Sequence, residues 1–117
     1  MPGISIHVVD ISRGVVASGM HIELLAVGPE QGRLIASGPI AKSGLLDHAA
    51  LTQTFAAGGY EARFHVARYY REQGVSLADV AFLDIVNYGF GLSDPQAHYH
   101  LPMKCTPWGY SCFRGGA

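Results

Sequence analysis

Residues 98–117 read HYHLPMKCTPWGYSCFRGGA, and this stretch is the most informative part of the sequence. It is apolar and aromatic, whereas chain ends are usually polar and frayed, so we expect it to be folded into the molecule. The residue pattern over 97–105 and 110–114 predicts two β-strands. His98 and His100 are two residues apart on the first of these strands, so both imidazoles should point to the same face of a sheet.

The composition of the 117 residues restricts the class of protein. Hydrophobic residues make up 49% and charged residues 15%, which suits one domain over residues 1–117 with a core of its own. The formal net charge of −1 gives no basic footprint, so no nucleic-acid partner is expected. No apolar run is long enough to span a membrane. The low content of charge predicts that part of the surface is covered in an oligomer.

Two features bear on the cellular compartment. Cys105 and Cys112 are expected to be reduced thiols, with a disulfide much less favoured. Residues 1–7 lack the basic start and the apolar stretch of a secretory signal. We therefore expect a cytoplasmic protein.

Short predicted strands, separated by glycine and proline, follow one another along the chain. Besides the two strands above, strands are predicted over residues 4–10, 20–27, 33–36, 52–55, 60–66 and 82–92. Turns or loops are predicted over residues 12–14, 28–32, 38–47 and 93–95. One short helix is predicted over residues 67–73, ending at Gly74. This pattern is typical of an all-β protein, an antiparallel β-sandwich with one short helix.

The histidine pair leaves three interpretations open. His98 and His100 are structural, hydrogen-bonded side chains, or they bind a metal, or one of them is an acid–base catalyst beside a cation such as Arg114. A metal site needs a third ligand, for which His7, Cys105 and Cys112 are the candidates.

His7 lies among β-branched residues, where a lone histidine is more often an interior residue than a catalyst. Asp10 is three positions further along the same predicted strand, so its side chain faces away from His7. A direct pair between His7 and Asp10 is therefore not expected.

Four stretches of the chain resemble the transthyretin-like 5-hydroxyisourate hydrolases. Residues 98–116 resemble the C-terminal block of that family, which reads roughly HYHxPLLxSPxGYSxYRGS. Residues 5–10 are similar to its (S/T)-T-H-V-L-D segment, residues 59–65 to its glycine–tyrosine strand, and residues 82–95 to its F-x-x-V…F-x-(I/L)-x-D-P segment. The spacing between these stretches is kept, so the resemblance covers most of the chain.

The resemblance implies a fold, an assembly and a set of site residues. The family fold is the transthyretin sandwich, built as a homotetramer whose paired sheets enclose a channel with hydrolase sites at its mouths. The family's catalytic groups match His7, His100 and Arg114. The positions expected to contact a small heterocyclic substrate are Leu45, His98, Ser111, Phe113 and Gly116. No metal and no other cofactor is expected.

Two parts of the family pattern are changed in this chain. The arginine of the family's D-G-R motif should follow Gly44, where this sequence has Leu45. The family's final Y-R-G-S is replaced by residues 113–116, FRGG, followed by Ala117. Losing a charge-assisted contact of about 1.5–3 kcal/mol should cost roughly 10–100-fold in binding or rate, unless Lys42 or Arg33 replaces the arginine.

These observations favour a hydrolase that opens a cyclic amide ring (a ureide, imide or lactam), with 5-hydroxyisourate or a different compound as its substrate. The alternative is a non-catalytic, transthyretin-like protein that binds a small molecule. His100 favours the hydrolase, because transthyretin itself, the hormone carrier, lacks that second histidine. The third hypothesis is a metal protein that uses His98, His100 and a cysteine.

Overall fold

The computed structural model describes residues 2–28 and 32–116. Its eight strands are β1 (Gly3–Asp10), β2 (Val15–Val16), β3 (His21–Val27), β4 (Arg33–Pro39), β5 (Gly58–His65), β6 (Ile85–Leu92), β7 (His98–Thr106) and β8 (Gly109–Cys112). They form two four-stranded sheets, with the orders β2-β1-β7-β8 and β4-β3-β5-β6. A 3₁₀ turn covers Ala49–Thr52, and the single α-helix of the described residues, α1 (Val66–Glu72), connects β5 to β6. No helix in this part of the chain is long and apolar enough to cross a membrane.

The hydrophobic core lies between the two sheets, because alternate residues of each strand are apolar and buried. On β1 the buried side chains are Ile4, Ile6 and Val8, and the residues between them are half-buried. They belong to one cluster with side chains of the other sheet, among them Ile22, Leu24, Ala62, Phe64 and Val86. The polar residues between the core positions therefore lie on the outer faces of the sandwich.

The predicted β-sandwich with one short helix is confirmed, and one pair of strands departs from the antiparallel pattern. β1 and β7 run parallel, with Ser5 opposite His100 and His7 opposite Pro102. All other pairs of named strands are antiparallel within the described residues. The parallel pair brings the strand that contains His7 directly beside the strand that contains His98 and His100.

Several predicted boundaries are corrected by the structure. The strand predicted over residues 52–55 is absent, and the chain instead forms the 3₁₀ turn Ala49–Thr52, where Nδ1 of His48 accepts a hydrogen bond from the Ala50 N–H (3.1 Å). The strand predicted over residues 33–36 continues to Pro39, because it pairs with β3 over that length. The strand predicted from residue 82 begins at Ile85. The strand predicted over residues 110–114 ends at Cys112.

Two further differences concern β3 and its neighbours. A β-bulge between Leu24 and Leu25 buries both side chains, whereas simple alternation places Leu25 on the outer face with His21 and Glu23. The two-residue strand β2 pairs with the end of β1 and has no counterpart in the sequence prediction. The predicted loop over residues 28–32 lies partly outside the described residues, since the description stops at 28 and resumes at 32.

Helix α1 is fixed to the first sheet by a buried carboxylate. Asp10 is fully buried and accepts hydrogen bonds from the hydroxyls of Tyr69 (3.0 Å), Tyr70 (2.7 Å) and Ser12 (2.6 Å). Its neighbours on β1 alternate between the core and the outer face, so Asp10 and His7 point in opposite directions. Asp10 therefore holds the helix against β1 and takes no part in orienting His7.

Candidate active site

A serine hydroxyl connects two imidazoles on the outer face of the first sheet. Oγ of Ser5 lies 2.8 Å from Nε2 of His98 and 2.6 Å from Nδ1 of His100. The three side chains meet because Ser5 is opposite His100 in the parallel β1–β7 pair, and His98 is two residues before His100. The structure thus joins His98 and His100 through a residue that sequence reasoning did not select.

One choice of tautomers satisfies all the hydrogen bonds of the two rings. The carbonyl of Pro2, which can only accept, lies 3.5 Å from Nδ1 of His98, so this choice places the proton on that nitrogen. In a neutral His98, Nε2 is then an acceptor and takes the hydrogen of the Ser5 hydroxyl. The Ser5 oxygen in turn accepts from Nδ1–H of His100. This arrangement leaves Nε2 of His100 unprotonated and able to accept a proton.

His7 follows Ser5 on the same face of β1. From the spacing of strands and the rise per residue, its Cα lies about 8 Å from that of His100, its diagonal neighbour on β7. Its imidazole packs against Gly44, where a Cβ atom would overlap Nε2 of His7 and where φ is +88°, a conformation that favours glycine. Residues 44–46 run alongside β1 and are fixed there by two backbone hydrogen bonds, from Val8 N–H to the Gly44 carbonyl and from Leu46 N–H to the Ile6 carbonyl.

The environment of His100 favours its neutral form. Burial lowers the pKa of His100, and the nearby imidazoles of His7 and His98 lower that pKa further by disfavouring a second positive charge. A histidine with a depressed pKa is unprotonated at neutral pH and suits the role of general base.

A cleft of about 320 Å³ opens beside Ser5 and His98. Leu45 lies on its wall, in an isolated bridge with His7, and is 38% exposed. The 3₁₀ turn and the residues before it contribute Asp47, His48 and Thr52. The lining found in the described part of the chain includes neither lysine nor arginine. Lys42 is exposed in the turn before Leu45, and Arg33 lies at the start of β4 in the other sheet.

The C-terminal segment runs beside His100 after β8 ends. The N–H of Gly115 donates to the carbonyl of His100 (2.7 Å), and a Cβ atom at Gly115 would lie 2.6 Å from Cδ2 of that imidazole. Gly116 follows directly, with open space where a Cβ atom would lie, and Phe113 is 43% exposed. Of these residues, Gly115 is the one that borders the imidazole of His100.

Arg114 and Ser111 lie elsewhere within a single chain. The guanidinium of Arg114 stacks on the ring of Tyr99, 4.1 Å from the ring centre, and Tyr99 is a core residue on the opposite face of β7 from His98 and His100. Ser111 is opposite Lys104, four residues beyond His100 on β7, a separation of about 13 Å along the strand. One chain thus brings His7, His98, His100 and Leu45 together and leaves these two side chains apart from them.

The cysteines do not complete a metal site with the histidine pair. Cys105 is buried on the core face of β7, and Cys112 is opposite Met103, another core position. Burial raises the pKa of both thiols to about 11, and both are free. Among residues 2–28 and 32–116, three metal-ligating side chains come together at His21, Glu23 and His65, on the other sheet.

Ser5 and His48 are the site residues that sequence reasoning missed. Ser5 is two residues before His7, so its place on the same face of β1 follows from strand alternation. Its contact with His98 and His100 depends on the parallel register of two strands far apart in the sequence. His48 enters through a 3₁₀ turn that has no clear sequence signal.

Comparison with known proteins gives a consistent set of relatives. The model of the HIUase/Transthyretin family matches residues 4–115. The chain is 38% identical to 5-hydroxyisourate hydrolase 2 of Rhizobium meliloti over 110 residues, which is 93% of this chain and 92% of the relative. It is 37% identical to the 5-hydroxyisourate hydrolase of Pseudomonas aeruginosa over 116 residues, 98% of this chain and 92% of that protein.

Solved structures agree on the fold. The crystal structure of an (S)-allantoin synthase superposes with a TM-score of 0.90 and 31% identity, over 97% of this chain and 43% of the synthase chain. The 5-hydroxyisourate hydrolase of Klebsiella pneumoniae superposes with a TM-score of 0.79 at 24% identity, over 99% of this chain and all of that chain.

Proposed function

Because the chain belongs to the HIUase/Transthyretin family, we propose that it is a 5-hydroxyisourate hydrolase-like enzyme that opens the ring of 5-hydroxyisourate or of a closely similar cyclic ureide. The observation that supports this most is the Ser5 hydroxyl between His98 and His100, with His7 beside them. A carrier that only binds a ligand has no need of a ring nitrogen prepared to accept a proton, so the non-catalytic alternative is not favoured.

The reaction assigns a separate task to each imidazole. Nε2 of His100 takes a proton from a water molecule, whose oxygen attacks the ring carbonyl and gives a tetrahedral oxyanion. When the oxyanion collapses, the C–N bond breaks and the leaving nitrogen needs a proton, which His7 supplies. Ser5 and His98 are positioning residues, since they hold the tautomer and the ring orientation of His100.

The remaining proposed contacts stabilise charge and shape the site. Arg114 is the proposed partner of the developing oxyanion. Its guanidinium must leave the ring of Tyr99 to reach the imidazole face, and a side chain of this length and exposure can do so. Leu45, Phe113, Gly116 and Ser111 are the proposed substrate contacts, of which Leu45 and Phe113 make the site more apolar than an arginine and a tyrosine would.

The absent arginine gives a direct test of substrate choice. We expect the wild-type protein to hydrolyse 5-hydroxyisourate with a kcat/KM roughly 10–100-fold below that of the Pseudomonas aeruginosa relative assayed alongside it. Leu45→Arg combined with Gly116→Ser should recover most of that factor, because it restores a cation and a hydroxyl. Leu45→Met, which keeps an apolar side chain of similar volume, is the matched control and should change little.

Two outcomes would contradict these expectations in different ways. Wild-type turnover equal to that of the relative would show that the substrate is unchanged and that Lys42, Arg33 or another cation replaces the arginine. The absence of hydrolysis by both wild type and double variant, for 5-hydroxyisourate and for a panel of cyclic ureides, imides and lactams, would overturn the proposed activity itself.

We also propose that the protein is a cytoplasmic homotetramer with its sites at the contacts between subunits. Two edge strands support this assembly, since β6 and β8 each have an unpaired side in one chain. Tyr88 on β6 and Cys112 on β8 both pack against the core between the sheets. Tyr110 on β8 and Phe113, which follows that strand, expose aromatic surface, at 49% and 43%.

The assembly has a simple solution test. Multi-angle light scattering on the protein at micromolar concentration should give about four times the chain mass of 12.5 kDa. Introducing like charges at the β8 edge with Tyr110→Glu should reduce the mass to that of smaller species, since Tyr110 is an exposed side chain of β8, where the proposed contact between subunits lies. A wild-type monomer under these conditions would remove the proposed tetramer.

A further inference from the structure

A second cluster of titratable side chains lies on the outer face of the other sheet. His21, Glu23 and His65 each offer one ligand atom, and these three atoms lie within 4.8 Å of one another. We propose that they bind a divalent transition-metal ion of the zinc class, at a site separate from the imidazole face of the first sheet.

Strand pairing explains why the three side chains meet. His21 and Glu23 are two residues apart on β3, so both point outwards while Ile22 and Leu24 point to the core. On β5, Phe64 is opposite Ile22, which places His65, the last residue of that strand, beside His21. Helix α1 begins at the next residue, Val66, whose side chain is buried.

The distances between the three ligand atoms are close to those of a metal site. Nε2 of His65 lies 2.8 Å from Oε1 of Glu23, and the rings of His21 and His65 meet edge to face with centres 5.1 Å apart. Metal–ligand bonds of 2.0–2.2 Å in a tetrahedral site place ligand atoms about 3.4 Å apart. Side-chain rotation alone can therefore open the His65–Glu23 contact slightly and bring His21 closer, with the ion replacing the shared proton.

The donor set selects the kind of ion. Two imidazole nitrogens and one carboxylate oxygen are ligands of zinc and of similar transition metals, whereas calcium and magnesium prefer sites made of oxygen. Three protein ligands leave a fourth position for water. The side chains of His65 and Glu23 are 21% and 27% exposed, so an ion can reach them from solvent.

The surrounding charges are compatible with a bound cation. The hydrogen bond from His65 lowers the pKa of Glu23 despite partial burial, so Glu23 is an ionised ligand at neutral pH. The nearest guanidinium, that of Arg63, is engaged by Glu61 at 2.6 Å, which offsets most of its repulsion of an incoming cation. A plain hydrogen-bonded pair of His65 and Glu23 explains two of the three side chains but gives no role to His21.

Zinc and cobalt titrations of the whole, metal-stripped protein test the site. Calorimetry with Zn²⁺ should give saturable binding of about one ion per chain, and Co²⁺ should produce the visible absorption of a four-coordinate site with nitrogen ligands. Removing a residue that only orients a metal ligand lowers metal affinity by about 10–100-fold. Loss of a ligand itself, in His21→Gln or His65→Gln, should therefore lower the affinity for Zn²⁺ by at least about 100-fold. His65→Gln keeps a donor for Glu23, which separates loss of a ligand from loss of the hydrogen bond.

Two matched variants complete the experiment. His48→Asn removes an imidazole outside the cluster while keeping a side-chain acceptor for the Ala50 N–H, and it should bind zinc as the wild type does. His98→Asn tests the competing site on the first sheet and should also bind normally. Absence of saturable Zn²⁺ binding, or loss of binding in His98→Asn with retention in His21→Gln, would overturn the proposal.

Discussion

Replacing His100 with glutamine should lower kcat/KM for the ring-opening reaction by about 10²–10⁴-fold, the usual contribution of a general acid or base. Glutamine retains hydrogen-bonding groups near Ser5 but cannot take a proton from water. The thermal stability should change little, because the side chain is only half-buried. Initial rates over a range of substrate concentrations measure the effect, and the melting temperature serves as the control for folding.

Ser5→Ala is a milder variant of the same site, and its kcat/KM should be compared with that of His100→Gln. It removes the hydroxyl that holds His98 and His100 but leaves both imidazoles in place. We expect a smaller loss than in His100→Gln, and Ser5→Thr should recover part of it because threonine restores the hydroxyl. A His100→Gln variant with near wild-type activity would exclude His100 as the base.

The pH dependence of the wild-type enzyme follows from the same environment. Because burial and the neighbouring imidazoles lower the pKa of His100, its neutral form persists to more acidic pH than in an ordinary histidine. The acidic limb of kcat/KM should therefore lie below pH 6.5, and activity should fall as the pH drops through that lowered pKa.

Replacing Asp10 with alanine should lower the free energy of unfolding at pH 7 by about 3–5 kcal/mol, as expected when a buried charged acceptor is removed. Tyr69 then loses its buried acceptor, whereas Tyr70 can still donate to the Cys105 carbonyl at 3.2 Å. Urea unfolding monitored by tyrosine fluorescence and circular dichroism measures the change. Tyr69→Phe, which removes one donor and leaves the carboxylate, is the milder control and should cost about 1–3 kcal/mol.

Acid should reduce this difference between wild type and Asp10→Ala. Burial alone would raise the pKa of Asp10, but the hydrogen bonds from Ser12, Tyr70, Tyr69 and the Arg13 backbone outweigh it, so the pKa is lowered in the folded protein. A lowered pKa stabilises the fold above the unfolded value of about 3.9, and that contribution is lost as the pH falls through the folded pKa. A difference that stays constant down to pH 2 would contradict an ionised Asp10.

Local pattern was sufficient to predict most of the fold. Alternation along β1 and β7 identifies the strands and separates the buried Ile4, Ile6 and Val8 from Ser5 and His7. The short helix follows from composition and from Gly74. The 3₁₀ turn at Ala49–Thr52 and the bulge at Leu25 were not predictable in this way, since both arise from packing against neighbouring strands rather than from a periodic signal.

The candidate site was also predictable from the sequence only in part. His7 and His100 were selected from the resemblance, and strand alternation explains why each faces outwards. The role of Ser5 depends on the register of a parallel pair, which no local pattern specifies. The cluster of His21, Glu23 and His65 also depends on pairing between strands, so its members look like unrelated surface residues in the sequence.

The parallel pairing of β1 with β7 has a consequence for how the enzyme is made. Ser5 and His100 are in contact but are 95 positions apart in the chain. Closing so long a loop costs conformational entropy before the stabilising contacts between the strands have formed. This pairing is therefore expected to form late and slowly. During synthesis, β1 must wait until β7, 95 positions further along the chain, has been made. Nascent and prematurely terminated chains would consequently be without activity, since the proposed hydrolytic machinery comes into existence only when the two distant strands meet.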